Sequence, residues 1–195
     1  MNRIVFLDID GVLQPFTNLK RFDCNLQAVK KEVAKKLNDN SYLDDDGYNI
    51  AAVYLDWHQE AISNLKKLLD ESKAKIVITS NWRYLGFDFL KRLFKIHGLD
   101  KYLLEMTMDY QQFDEKIVAK YKEIEKYGIF IRNRVLEINE YLNSHEVSQF
   151  VIIDDIDLSN FFPDHFVRTF VDQKDDFYFS QSNYFEALKI LKIIS

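Results

Sequence analysis

The stretch Ile4-Val5-Phe6-Leu7-Asp8-Ile9-Asp10-Gly11-Val12-Leu13 decides the fold of this chain. Its first four residues are apolar, which is typical of a strand buried on both faces inside a parallel sheet. Asp8 and Asp10 follow with one residue between them, and Gly11 then allows the backbone to turn sharply. Two such close carboxylates repel each other unless a cation joins them or one is protonated. Mg²⁺, a hard cation with oxygen ligands, suits this pair, and the alternative is a strand that ends in a solvated acidic turn.

The composition predicts one domain spanning residues 1–195. Of these residues 47% are hydrophobic and 15% aromatic, which is enough for a sizeable core. The net charge of −5 gives no basic surface for broad capture of nucleic acid, although a local basic groove stays open as an alternative. Cys24 is alone, so a disulfide framework and a thiolate metal cluster are excluded. Because no leader segment or long apolar run is seen, we expect a cytoplasmic protein without membrane contact.

A second strand ends in polar side chains, in the run Lys75-Ile76-Val77-Ile78-Thr79-Ser80-Asn81. Thr79 or Ser80, together with Asn81, could hold a phosphoryl oxygen with neutral donors. Alone, this run would favour a hydroxyl that caps the next helix. Its position after the acidic stretch favours the phosphate site instead.

A third apolar strand, Gln149-Phe150-Val151-Ile152-Ile153, ends in Asp154 and Asp155 and so repeats the pattern of the first strand. Open parallel sheets bind ligands beyond the carboxyl ends of their strands. We therefore expect this pair to meet Asp8 and Asp10 at one cation. Four buried carboxylates would be costly without a metal, which favours the cation site.

Strands and amphipathic helices alternate along the chain. This predicts an α/β fold, a Rossmann-like three-layer α/β/α arrangement with a mostly parallel sheet and a small insertion at residues 14–56 after the first strand. We predict a polar loop at 38–49, with Asp56 as the N-cap of the first core helix. The lysines of the helix at 25–37 are predicted to form a solvated face: Lys30, Lys31, Lys35 and Lys36. Further elements are predicted as helices at 56–72, 85–97, 114–127 and 184–193, a helix through Val135 and Tyr141, and a last strand at 166–171.

The acidic stretch and the second strand together resemble the first two motifs of the haloacid dehalogenase (HAD) superfamily of phosphohydrolases. The resemblance implies Mg²⁺-dependent phosphoryl transfer through an aspartyl-phosphate. Asp8 would then be the nucleophile and Asp10 the general acid and base. Thr79 or Ser80 would supply the hydroxyl of the second motif.

The third and fourth HAD motifs also have counterparts here. Arg134-Val135-Leu136-Glu137-Ile138 matches an Arg-x-x-Glu-Ile pattern of the RNA-repair-associated members, which implies that Arg134 neutralises the phosphoryl group. A surface arginine in a local ion pair is the alternative, with Arg132 and Lys116 as the other basic candidates. Asp154 or Asp155 would bind Mg²⁺ with the aspartates of the first motif.

The run Ser80-Asn81-Trp82-Arg83 narrows the resemblance to the HAD domains of RNA-repair (Swiss Army Knife) proteins. Trp82 could stack on a base and Arg83 could hold a phosphate. Residues 14–56 stand where a cap enters in this superfamily, and so small a cap would leave the cleft open to a nucleic-acid end or another macromolecular phosphate. The alternatives are a small-metabolite phosphatase and a non-catalytic binding module, although both aspartates of the first motif are present.

Overall fold

A five-stranded parallel sheet forms the centre of the structure, a computed structural model that describes residues 2–17, 19–170 and 177–192. The strands are β1 (Arg3–Leu7), β2 (Lys75–Ile78), β3 (Leu103–Met106), β4 (Gln149–Asp154) and β5 (Phe166–Arg168). Their order across the sheet is β3-β2-β1-β4-β5, and every neighbouring pair runs parallel. The strand before the acidic stretch is therefore central, and the carboxyl ends of all strands share one edge of the sheet.

Helices cover both faces of the sheet and confirm the predicted Rossmann-like three-layer fold. Within the described ranges the α-helices are α1 (Leu26–Leu37), α2 (Gly47–Ala51), α3 (Gln59–Ser72), α4 (Phe87–Lys95), α5 (Glu115–Lys120), α6 (Ile129–Ser144) and α7 (Gln181–Lys192). Alternate residues of β1 face two separate cores, as the period-two geometry of a strand requires. Val5 and Leu7 pack into a core with α1, α3, α4 and α7, whereas Ile4 and Phe6 pack with α6.

The segment 38–49 is not the polar loop that its composition predicts. It contains a 3₁₀-helix, Asn40–Leu43, and leads into α2, which continues as a π-helical turn at Ala52–Asp56. Tyr42 and Ile50 are both fully buried in the larger core. The prediction is wrong because residues 38–49 are mostly polar and show no helical periodicity, although Tyr42 within them packs into the core.

The predicted roles of two further residues in this region are also wrong. Lys30, predicted on a solvated helix face, is only 7% exposed because its aliphatic stem covers Gly47. Asp56 does not cap α3, whose N-cap position is His58. Its buried carboxylate instead accepts hydrogen bonds from the backbone amides of residues 20–21.

Several element bounds differ from the predicted ones. The helix predicted at 85–97 is the shorter α4, which a 3₁₀-helix (Asn81–Leu85) precedes. The helix predicted at 114–127 is α5 followed by a 3₁₀-helix (Lys122–Tyr127). β5 ends at Arg168, and residues 171 and 193, the predicted ends of the last strand and helix, lie outside the described residues. None of the described helices is long and apolar enough to cross a membrane.

Candidate active site

A tight turn follows β1 and shapes the candidate site. The amides of residues 12–14 all donate to the carbonyl of Ile9, and the amide of Gly11 donates to the carbonyl of Gln14 at 2.7 Å. Gly11 has φ of 71°, and a Cβ atom there would lie 2.9 Å from Cβ of Asp155. Only glycine meets both conditions without strain. This turn therefore lets the chain after Asp8 pass directly over the end of β4.

Three carboxylates converge at this edge of the sheet. One oxygen from each of Asp8, Asp154 and Asp155 lies within 4.8 Å of the other two. Burial raises the pKa of Asp154 well above its usual value, although Arg134 opposes this shift. Burial and then the charge of Asp8 raise the pKa of Asp155 to about 6. The cluster is thus short of positive charge. Its carboxylate oxygens are the ligands that a hard divalent cation prefers.

Arg134, from the first half of α6, lies against this cluster. Its Nη2 atom is 3.5 Å from Oδ1 of Asp8, and its Nη1 atom forms an ion pair with Asp154. Nη1 also lies 3.4 Å from the hydroxyl oxygen of Thr79, to which it donates. Burial alone would lower the pKa of the guanidinium, but the surrounding carboxylates raise it, so it stays charged.

The other two basic candidates lie elsewhere. Arg132 points to Glu125, with 3.4 Å between Nη1 and Oε1, and packs over the ring of Tyr110. Lys116 is exposed on α5. Of the three basic side chains weighed from the sequence, Arg134 is therefore the one beside the carboxylates.

The hydroxyls after β2 have different surroundings. Thr79 and Ser80 are both fully buried. Thr79 faces Arg134, whereas Ser80 accepts a 3.3 Å hydrogen bond from the backbone amide of Trp82 and caps the following 3₁₀-helix. Asn81 is exposed and lines a cavity next to Arg134. This geometry favours Thr79 for contact with a phosphoryl group at the cluster.

The Asp10 carboxylate is held by hydrogen bonds to two other side chains. Its Oδ2 atom accepts a 2.9 Å hydrogen bond from the indole nitrogen of Trp82, and its Oδ1 atom accepts one of 2.9 Å from the side-chain amide of Gln14. Burial and the charge of Asp8 raise the pKa of Asp10, and the Trp82 bond opposes them. The sequence also predicts Asp10 as a metal ligand, but the three carboxylates that converge within the described residues are Asp8, Asp154 and Asp155.

Trp82 and Arg83 are buried, which differs from the recognition role predicted for them. Trp82 is 8% exposed. The Arg83 guanidinium forms an ion pair of 2.9 Å with Glu137 and donates to the hydroxyl of Thr107 at 2.5 Å. Burial therefore leaves little of either side chain accessible to a base. Glu137 lies between Arg83 and Arg134 and forms ion pairs with both. The sequence did not reveal this role.

A cavity of about 350 Å³ opens beside the cluster. Arg134 and Asn81 line this cavity, and Tyr110 and Phe130 contribute aromatic rings to it. Phe130 is 67% exposed. Sequence reasoning missed both aromatics. Tyr110 lies between the predicted helices, and Phe130 looks like part of the apolar run that begins a helix.

The parallel sheet and the acidic cluster at its edge define an HAD-like α/β domain. The chain belongs to the family described as the HAD domain in Swiss Army Knife RNA repair proteins, which matches residues 4–180. This match confirms the family resemblance predicted from the motifs, and it supports phosphohydrolase activity in general. No curated protein and no solved structure matches the chain.

Proposed function

We propose that this domain is a Mg²⁺-dependent phosphomonoesterase that works through an aspartyl-phosphate on Asp8. The observation that carries the proposal is the group of Asp8, Asp154 and Asp155 beside Arg134, in which Asp8 and Asp154 are buried and Asp155 is half-buried. When all three carboxylates are ionised, they leave two negative charges beside the one guanidinium, which one Mg²⁺ would neutralise. The three carboxylates would hold the ion, which would supply positive charge beside the nucleophile and the transferred phosphoryl group.

Asp8 begins the proposed reaction as the nucleophile. A carboxylate oxygen attacks phosphorus in line, the bond between phosphorus and the leaving oxygen breaks, and Asp10 gives that oxygen its proton. Burial raises the pKa of Asp10, which favours the protonated form needed for this step. Arg134 binds the phosphoryl oxygens with its charge and Thr79 with its hydroxyl.

Hydrolysis of the aspartyl-phosphate completes the cycle. Asp10, now a carboxylate, takes a proton from a water molecule whose oxygen attacks phosphorus. The bond between phosphorus and the Asp8 oxygen breaks, inorganic phosphate leaves, and the Asp8 carboxylate and the Asp10 acid are both restored.

The substrate we propose is a phosphate at the end of a nucleic acid. The family description names RNA repair, and the cavity beside Arg134 offers Tyr110 and Phe130 for stacking on a base. Because Trp82 and Arg83 are buried, we propose that Tyr110 and Phe130 recognise the substrate in their place. Residues 14–56 are proposed to form a small cap, which would leave room for a macromolecular substrate.

Hydrolysis of an aryl phosphate tests the proposed chemistry. Activity should require Mg²⁺, disappear with a chelator, and disappear in Asp8→Asn. Asp157→Asn is the matched control, because Asp157 lies near the same edge but bonds to Ser159 and Arg168. Full activity in chelator would contradict the proposed need for Mg²⁺, and an active Asp8→Asn variant would contradict Asp8 as the nucleophile.

A comparison of substrates tests the proposed substrate class. We expect a higher kcat/KM for a phosphorylated oligonucleotide than for a small sugar phosphate. Because stacking on an aromatic ring contributes about 1–3 kcal/mol per base, Phe130→Ala should lower the oligonucleotide value about 5- to 150-fold. Phe185→Ala, which removes an exposed ring on α7, is the control. A preference for the sugar phosphate, or an equal loss on both substrates, would reject this substrate class.

A further inference from the structure

We propose that Trp82 and Gln14 are positioning residues that hold the Asp10 carboxylate for proton transfer, and that residues 14–56 act on the reaction through Gln14. The inference rests on the proposed function, because Asp10 transfers a proton only in that reaction. It gives Trp82 a role different from substrate recognition.

The indole of Trp82 fixes one oxygen of Asp10. Its Nε1 atom lies 2.9 Å from Oδ2, and an indole N–H can only donate. The ring itself has little freedom, since it is buried and packs near Trp57, with 6.5 Å between the ring centroids. Ser80 also accepts a hydrogen bond from the backbone amide of Trp82, so both the ring and the backbone of this residue are held.

Gln14 fixes the other oxygen of Asp10. Its Nε2 atom donates to Oδ1 at 2.9 Å, while its Oε1 atom accepts from Nη1 of Arg21 at 2.7 Å. A guanidinium only donates and a carboxylate only accepts, so these two partners define the orientation of the amide. Gln14 is itself buried at the end of the turn that contains Gly11.

Arg21 is in turn held by Asp56. Nε of Arg21 lies 3.5 Å from Oδ2 of Asp56, and Oδ1 of Asp56 accepts the backbone amides of Lys20 at 2.7 Å and Arg21 at 3.3 Å. Asp56 is buried. A continuous polar chain therefore runs from Asp56 through Arg21 and Gln14 to Asp10. It connects both ends of the segment 14–56 with the proposed catalytic acid.

This arrangement predicts an effect that depends on the leaving group. Two donors on its two oxygens prevent the Asp10 carboxyl from turning away from the leaving oxygen. An alkyl leaving group needs the proton as the bond to phosphorus breaks, whereas a nitrophenyl group is a stable anion and needs it much less. Loss of a positioning donor should therefore slow alkyl phosphates more than aryl phosphates.

Trp82→Phe tests this effect, and Trp57→Phe is its matched control. Both tryptophans are buried, but the indole nitrogen of Trp57 has no hydrogen-bond partner among the described residues. Since general acid catalysis contributes about 10²–10⁴-fold, Trp82→Phe should lower kcat for an alkyl phosphate at least about tenfold. The values for nitrophenyl phosphate and for Trp57→Phe should change much less.

Gln14→Met is a second variant that should show the same dependence on the leaving group. Equal losses on both substrates in these variants would indicate a merely structural role and would overturn the inference. An unchanged kcat on the alkyl phosphate would overturn it as well.

The indole resonances test the contact without any activity measurement. The chain has 2 tryptophans, so a ¹⁵N-labelled sample gives one indole N–H signal from each. In Asp10→Ala the Trp82 signal should shift and its proton should exchange faster with solvent, while the Trp57 signal stays in place. An unchanged Trp82 signal overturns the inference. A parent domain without phosphatase activity would refute the proposed function, and the spectrum would still decide whether Trp82 holds Asp10.

Discussion

Replacement of Arg134 should lower the stability of the domain strongly. Its side chain is 6% exposed, lies 3.5 Å from Asp8 and forms an ion pair with Asp154. Arg134→Gln would leave these buried carboxylates without their positive partner, and such a loss costs about 3–5 kcal/mol. For a domain of this length the cost corresponds to a fall in Tm of about 6–20 °C.

Arg132→Gln is a matched control on the same helix. The Arg132 side chain is similarly buried at 7% exposure, but its partner Glu125 is 45% exposed. Solvent screens an ion pair of this kind, which then contributes about 1 kcal/mol or less. The two variants carry the same chemical change. The difference between their losses of stability therefore measures the contribution of the acidic cluster.

Urea denaturation, followed by circular dichroism in a chelator and then in Mg²⁺, measures this difference. The pH should lie well above the value of about 6 that the pKa of Asp155 takes, so that its carboxylate is ionised. Mg²⁺ should restore more stability to Arg134→Gln than to Arg132→Gln, because a bound cation replaces the lost charge. An Arg134→Gln variant as stable as Arg132→Gln, or equal gains from Mg²⁺, would refute this reasoning.

Two further predictions concern stability away from the arginine. Gly11→Ala should cost more than Gly86→Ala by about 1–3 kcal/mol in thermal denaturation, because both have positive φ but only a Cβ at Gly11 has atoms at 2.9 Å; equal costs would contradict the crowding. Burial lowers the pKa of His97 below 6.5, so the folded state binds fewer protons than the unfolded state. The free energy of unfolding should therefore fall as the pH falls through 6.5, and His97→Gln should flatten this slope in denaturant titrations at several pH values. The same slope in His97→Gln as in the parent domain would contradict this role of His97.

The central strands and the acidic cluster could be predicted from the sequence. β1 and β4 are short continuous apolar runs, the pattern that a parallel strand buried on both faces requires. Parallel strands end at one edge of the sheet, so Asp8, Asp154 and Asp155 had to approach one another once the fold was parallel. The apolar pattern of the strands and their parallel topology are therefore sufficient to predict this part of the site.

The partners of Asp10 and the burial of Arg83 could not be predicted in the same way. Gln14 belongs to a stretch with no periodicity, and its contact with Asp10 depends on the Gly11 turn. Arg83 is buried because Glu137, more than fifty residues away in the chain, provides a buried carboxylate for it. Such pairings are set by tertiary packing, about which the spacing of residues within one segment says nothing.

Trapping of the proposed nucleophile with beryllofluoride tests the proposed chemistry most directly. Beryllofluoride imitates a phosphoryl group on a carboxylate, and a crystal structure of the domain with Mg²⁺ would locate the adduct. We expect the adduct on the Asp8 carboxylate, with Mg²⁺ bound by Asp8, Asp154 and Asp155 and with Arg134 against the fluorine atoms. An adduct on another residue, or none on a domain that is active as a phosphatase, would contradict the proposed nucleophile.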